Sequence, residues 1–222
     1  MVGVFLQARL GSTRLPGKAL LPLGGTTVLQ LAMRALARVE VRVHALLTEP
    51  ASELSFAELA RAEGFELFVG SEEDVLDRFC RAAERFGPGT VVRATGDNPL
   101  VSPAQVRSLL ELHVAQGWEL SHYLGPPLGT GVEVIETWAL AEAGAAARDP
   151  YEREHVTPYL YRHPEAFRVG AIPCPEGWRL PEARVTLDTA ADYERLTAIF
   201  NDLYRGEPVE TGELVGWLRE RR

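Results

Sequence analysis

The sequence predicts an α/β fold with a mostly parallel sheet, and three observations support that class. Short apolar runs of strand length alternate with segments of helical period almost to the end of the chain. The first run, Val2–Ala8, is apolar as expected of a strand covered on both faces. Helical crossovers between such strands impose parallel pairing with right-handed connections.

Taken in order, Val2–Ala8 is the first strand and residues 9–26, rich in Gly and Pro, form a long loop. Thr27–Arg38 carries Leu29, Met33 and Leu36 at helical spacing. Val41–Leu47 reads as a strand, Ser52–Glu63 as a helix closed by Gly64, and Phe65–Val69 as a short strand. Ser71 with Asp74 resembles a capping box and is expected to open the next helix, its acidic residues complementing the helix dipole. Thr90–Thr95 is a strand that ends at Gly96-Asp97-Asn98-Pro99, and Ser102-Pro103 starts a helix that stops at Gly117. Val132–Ile135, Phe167–Ile172 and Arg184–Leu187 are further strands, with a helical stretch over Tyr151–Arg162. Thr189 with Asp192 opens another helix, and Thr211 caps a short final one.

The 222 residues suit one domain, 1–222, with an apolar fraction of 46% that is ample for a core. A formal charge of −8 argues against a nucleic-acid surface, although a local cation cluster still attracts small anions. Cys80 and Cys174 stand far apart without neighbouring ligand residues, which predicts packed thiols rather than a disulfide or a zinc site. No segment approaches the ~20 apolar residues of a membrane span, and Val2–Leu6 is too short for a signal-peptide core. The expected location is the cytoplasm, with no membrane partner.

Two features carry chemistry. The loop Gln7–Lys18 directly follows the first strand, where open α/β sheets bind ligands. Gly11 and Gly17 let backbone amides approach an anion, Ser12 and Thr13 add hydroxyls, and Arg9, Arg14 and Lys18 supply cations. Lys18 is the only lysine in the chain. Five residues separate the glycines and Ala19 follows the lysine, so this is not a Walker A motif. The second feature is a pair of strand-end aspartates, Asp97 and Asp188, that could share a magnesium ion beside phosphate.

The loop resembles the N-terminal signature of sugar cytidylyltransferases, especially the spore-coat polysaccharide biosynthesis protein F group. That group is related to the acylneuraminate and 3-deoxy-manno-octulosonate cytidylyltransferases. Gly70–Arg78, Arg93–Pro99, Glu152–Tyr159 and Thr186–Thr189 resemble the same group in the expected order. The resemblance implies a glycosyltransferase-A-like (nucleotide-diphospho-sugar transferase) three-layer sandwich. It also implies CTP and a sugar as substrates, Mg2+ as cofactor, and a homodimer. Arg9, Lys18 and Asp97 would be catalytic, and Ala8, Arg9, Gly11, Ser12, Thr13, Arg14, Lys18, Gly70, Ser71, Asp74 and Asp97 would bind nucleotide. Asp97 and Asp188 would ligate the metal, with Glu133, Arg153 and His155 on the acceptor side. Departures are Gly129-Thr-Gly131, where relatives carry Gly-Leu-Asp, and Asn98, where an acidic residue or cysteine is frequent.

The implied reaction is transfer of CMP from CTP to a sugar acid or sugar phosphate, with release of pyrophosphate, in cell-surface polysaccharide biosynthesis. Use of another base, or a nucleotide-binding protein of the same fold without turnover, are the alternatives. A glycosyltransferase would place a D-x-D pair in mid-chain, and none occurs. His44, His113, His122 and His163 read as structural, and the tryptophans as packing residues.

Overall fold

A computed structural model describes residues 1–221. Val2–Gln7 forms β1, and its centre Val4-Phe5-Leu6 is fully buried, with alternate side chains sent to opposite faces. The following loop is not irregular throughout: Lys18–Leu20 is a 3-10 turn, and β2 (Pro22–Leu23) pairs with β3 (Thr26–Thr27) in a small hairpin. Helix α1 (Val28–Leu36) opens where the Thr27 hydroxyl accepts the Gln30 amide. Then come β4 (Val43–Thr48), α2 (Glu53–Ala62), β5 (Glu66–Val69), α3 (Val75–Phe86), β6 (Thr90–Thr95) and α4 (Pro103–Gln116). The second half contains β7 (Leu120–Leu124), β8 (Glu133–Glu136), α5 (Thr137–Ala146), α6 (Pro150–His155), α7 (Pro158–Arg162) and β9 (Val169–Pro173). Helices α8 (Ala190–Leu203) and α9 (Thr211–Glu220) close the described chain.

Seven strands make one sheet in the order β5-β4-β1-β6-β8-β7-β9, and β8 alone runs against its neighbours. Val4 and Leu6 face a core with Leu29, Met33, Phe56 and Leu109 from α1, α2 and α4. Phe5 and Leu47 face Leu76, Phe79, Leu140 and Leu160 from α3, α5 and α7. Helices therefore cover both faces, giving three layers, and each fully buried Leu or Phe contributes about 1.5–3 kcal/mol. Helices α8 and α9 pack a third cluster, including Leu196, Ile199 and Leu214, against Leu31 of α1.

The structure corrects four local expectations. Helix α3 starts at Val75, because Asp74 rather than Ser71 caps it; the Ser71 hydroxyl instead accepts the Asp74 amide at 3.0 Å. Glu210, not Thr211, is the cap position of α9. Arg184–Leu187 is no strand, since its pairing amounts to one isolated bridge, Arg184 to Leu128. The stretch Tyr151–Arg162 breaks into α6 and α7 at Val156.

Strand β7 and helix α5 have no counterpart in the sequence reading. Polar Ser121 and His122 interrupt the first, and small apolar residues on every side hide the period of the second. Cys80 and Cys174 are free thiols. Burial, reinforced by the Asp77 carboxylate, pushes the Cys80 thiol up to about 11, so it stays protonated at neutral pH.

Candidate functional site

The parallel neighbours β1 and β6 end side by side, Gln7 opposite Thr95, and the loop after β1 starts at this edge. Three polar residues hold its base. The Ala8 amide donates to the Leu47 carbonyl at 3.1 Å, the Thr48 hydroxyl to the Ala8 carbonyl at 2.9 Å, and the Leu10 amide to the Ser52 hydroxyl at 2.9 Å. Ser52 in turn donates to the buried Glu49 carboxylate. Thr48, Glu49 and Ser52 were missed by sequence reading; their signal was a polar Thr-Glu-Pro-Ala-Ser run ending a buried strand.

Gly17 has φ 68°, a left-handed conformation that favours glycine. The Gly17 amide donates to the Leu10 carbonyl at 3.2 Å, folding the loop back on itself. Lys18 then points at the strand ends. Its ammonium donates to Asp97 Oδ2 at 2.7 Å, the Leu187 carbonyl at 2.7 Å and Asp188 Oδ1 at 3.1 Å. Gly11 stands in open space, Ser12 accepts the Leu15 amide, Thr13 is exposed, and Arg14, also exposed, reaches Asp188.

Lys18 thus brings together the two aspartates, 91 positions apart, that the sequence paired. The backbone reinforces the junction, because the Leu187 amide donates to the Asp97 carbonyl at 3.1 Å. Gly96 makes the approach possible: a Cβ there would lie 2.8 Å from Ala8 Cβ and from Leu29 Cδ1. Asp188 also accepts from Arg14 at 3.0 Å, from Arg184, and from the Thr186 hydroxyl at 3.3 Å. Arg184 was not among the expected site residues; the structure adds it through the loop that ends at Asp188.

Burial alone would raise the Asp188 pKa, but the Lys18 hydrogen bond and the Lys18, Arg14 and Arg184 charges outweigh it and lower the value. A lowered native pKa means that the stabilisation is complete above the unfolded-state value of about 3.9 and is lost as pH falls through the native one. Acid unfolding followed by circular dichroism should therefore show Asp188→Asn less stable than the wild type near neutrality. The gap should narrow below about pH 4.

The donor set suits magnesium. Both convergent groups are hard carboxylates, the oxygen-donor type that magnesium prefers. Magnesium commonly takes one or two carboxylates and fills the remaining positions with water and phosphate.

The remaining expected residues divide in two. Asp74 is fully engaged: Oδ1 accepts the Asp77 amide at 2.9 Å and Oδ2 accepts the Arg153 guanidinium. Arg153 also donates to the Gly144 carbonyl at 2.6 Å, so this pair joins α3 to α6. Below Gly70 and Ser71 lies buried Arg78, whose guanidinium donates to the Ser71 carbonyl at 2.9 Å and whose stem takes the space a Gly70 Cβ would need. Arg9 is half exposed and faces Glu154 at 3.9 Å.

Glu133 opens β8 beside Arg93 of β6 and His122 of β7, in direct register. It accepts from Arg93 at 2.6 Å, Tyr161 at 2.7 Å and Thr157 at 3.0 Å, and Tyr161 also meets His122 Nδ1 at 3.1 Å. Burial lowers the His122 pKa against the pull of Glu133, favouring the neutral ring. His122, read as structural, therefore belongs to a polar cluster at the same sheet edge as Asp97. His44, by contrast, bonds the Leu36 and Val39 carbonyls, and His163 the Tyr159 carbonyl.

His155 is exposed against the Tyr151 ring, 4.3 Å between centroids. The next residue, buried Val156, has φ 75° and ψ −58°, with the Thr157 amide donating to the His155 carbonyl at 2.9 Å. This γ-turn is rare for a β-branched residue and costs about 1–3 kcal/mol. It turns His155 outward and Thr157 in toward Glu133.

A cytidylyltransferase family profile matches residues 4–206. The chain is 36% identical to the spore coat polysaccharide biosynthesis protein SpsF of Bacillus subtilis, over 95% of this chain and 90% of that protein. A 3-deoxy-manno-octulosonate cytidylyltransferase of Geobacter sulfurreducens is 28% identical over 47% of this chain and 42% of its own length. Among solved structures, a cytidylyltransferase of Leptospira borgpetersenii superposes with a TM-score of 0.92 at 30% identity, covering 99% of this chain and 94% of that one. The α/β nucleotidyltransferase fold expected from the resemblance is the fold observed.

Proposed function

The chain belongs to the cytidylyltransferase family and is a nucleotidyltransferase, and on that premise we propose that it transfers CMP from CTP to a sugar acid or sugar phosphate with release of pyrophosphate. The observation that supports this reading best is the convergence of Asp97 and Asp188 on Lys18 at the end of the loop after β1. The acceptor oxygen attacks the α-phosphorus as the bond to the β-phosphate oxygen breaks, and pyrophosphate leaves with that oxygen. Such transfers depend chiefly on positioning and charge stabilisation.

Arg9, Arg14 and Lys18 neutralise the triphosphate, helped by the Ser12 and Thr13 hydroxyls and the amides at Gly11. The loop backbone from Ala8 and the Gly70–Ser71 segment, backed by Arg78, border the nucleotide. Asp74 contributes indirectly, as the cap and ion-pair partner that holds Arg153. Asp97 and Asp188 would hold magnesium, which would supply Lewis-acid polarisation of the phosphate. Glu133 and His155 face the acceptor, with Arg153 setting the position of α6. We read residues 1–222 as one nucleotidyltransferase domain, acting as a cytoplasmic homodimer in polysaccharide biosynthesis. No helix among the described residues is long and apolar enough to cross a membrane.

Thermal unfolding with magnesium and each of CTP, UTP, GTP and ATP tests the nucleotide. CTP at about a hundredfold excess over Kd should add about 2.7 kcal/mol, which is about 5–10 °C for a chain of this size. The other nucleotides should add little. Stabilisation by a different nucleotide would overturn the choice of cytosine, and none by any would overturn the reaction.

A further inference from the structure

The Lys18 ammonium lies on the two carboxylates that the proposed function gives to magnesium. It is 2.7 Å from Asp97 Oδ2 and 3.1 Å from Asp188 Oδ1, with its side chain only 13% exposed. A divalent cation coordinated by those same two oxygens would stand close beside the ammonium, and the two like charges would repel in a partly buried site. Asp188 is further occupied by Arg14 and Arg184. The carboxylate pair is thus already neutralised by cations belonging to the chain.

We infer that Lys18 is a tethered occupant of the divalent-cation position, which makes metal and nucleotide uptake interdependent. Magnesium alone would have to displace a largely buried ammonium from its carboxylates or bear its repulsion, and an unpaired buried charge is costly. A triphosphate arriving with the metal offers Lys18 and Arg14 new oxygens, so the exchange conserves ion pairs. The same residue then serves two states: it holds Asp97 and Asp188 together at rest and binds phosphate once the metal replaces it. Coupling of this kind is reciprocal, so the nucleotide raises metal affinity by the factor by which metal raises nucleotide affinity.

This inference rests on the reading of Asp97 and Asp188 as magnesium ligands, and calorimetry separates the two. The folded protein is titrated with Mg2+ alone, and separately with CTP in the presence of Mg2+. With Mg2+ alone the wild type should bind weakly, and Lys18→Met should bind at least about tenfold tighter, because its carboxylates are freed. Lys18→Arg, which keeps a cation, should stay close to the wild type. Lys18→Gln, which retains a donor for the Leu187 carbonyl, replaces Lys18→Met if that variant does not fold, with the same gain expected. Neutral variants that bind Mg2+ no tighter than a wild type competent for Mg2+-dependent CTP binding would overturn the inference. A wild type that binds CTP without regard to Mg2+ would instead remove the magnesium reading beneath it.

Discussion

Asp97→Asn is expected to lower kcat/KM by at least about 10²–10³-fold, the range seen when one preorganised electrostatic group is lost from a transition state. The substitution keeps the shape and can still accept from Lys18, so the turn after β6 should survive. What it loses is the charge that pairs with Lys18 at 2.7 Å and makes the site attractive to a divalent cation. The measurement is pyrophosphate release on the best acceptor from a panel of sugar acids and sugar phosphates, with melting temperature as the control for folding. Activity within about threefold of the wild type would remove Asp97 from the machinery, since a group asked to supply transition-state stabilisation must cost more than ~0.7 kcal/mol when neutralised.

Gly96→Ala is the second large effect, and it is steric. The Gly96 amide donates to the Gln7 carbonyl at 2.8 Å, so the residue is fixed between the ends of β1 and β6. A methyl group would meet Ala8 Cβ and Leu29 Cδ1, each at 2.8 Å. Relief must move either Ala8, the root of the loop after β1, or Asp97, the next residue along. A displacement near 1 Å at such a point costs about 10²-fold in rate, and the overpacking costs about 1–3 kcal/mol of stability. Gly177→Ala provides the comparison, because nothing lies within 4 Å of its Cβ position. If both variants turned over like the wild type, the close approach at Gly96 would have no bearing on the site.

The central strands and the chemistry at their ends were legible because both are local in sequence. β1 has an unbroken buried centre, β6 a buried run interrupted by Arg93, and each leads into Gly, Asp or Lys residues whose types suit phosphate and magnesium. The supports of the site were not legible, because they arrive from a distance. Arg184 acts only by folding back on Asp188, and Thr48, Glu49 and Ser52 act only because β4 lies next to β1. The Glu133 cluster needs three strands in register and a turn at Val156, none of which leaves a pattern along the chain. Ser71 and Asp74 could each cap a helix, and what settles the choice is Asp74 accepting the Asp77 amide while its other oxygen holds Arg153.

The reversed strand β8 has a consequence for how such a site can diversify. Because it runs against β6 and β7, it brings its first residue, Glu133, to the edge where those strands bring their last. The segment preceding it, from Gly125 to Val132, enters at that edge and is itself bonded there: the Leu128 amide donates to the Ala183 carbonyl at 2.9 Å and the Val185 amide to the Leu128 carbonyl at 2.8 Å. A Cβ at Gly129 would lie 2.8 Å from the Thr186 amide nitrogen, so changes of length or composition there would shift the run that ends at Asp188. Variation along this segment is therefore coupled to the placement of Asp188, a constraint on evolvability built into a single strand direction.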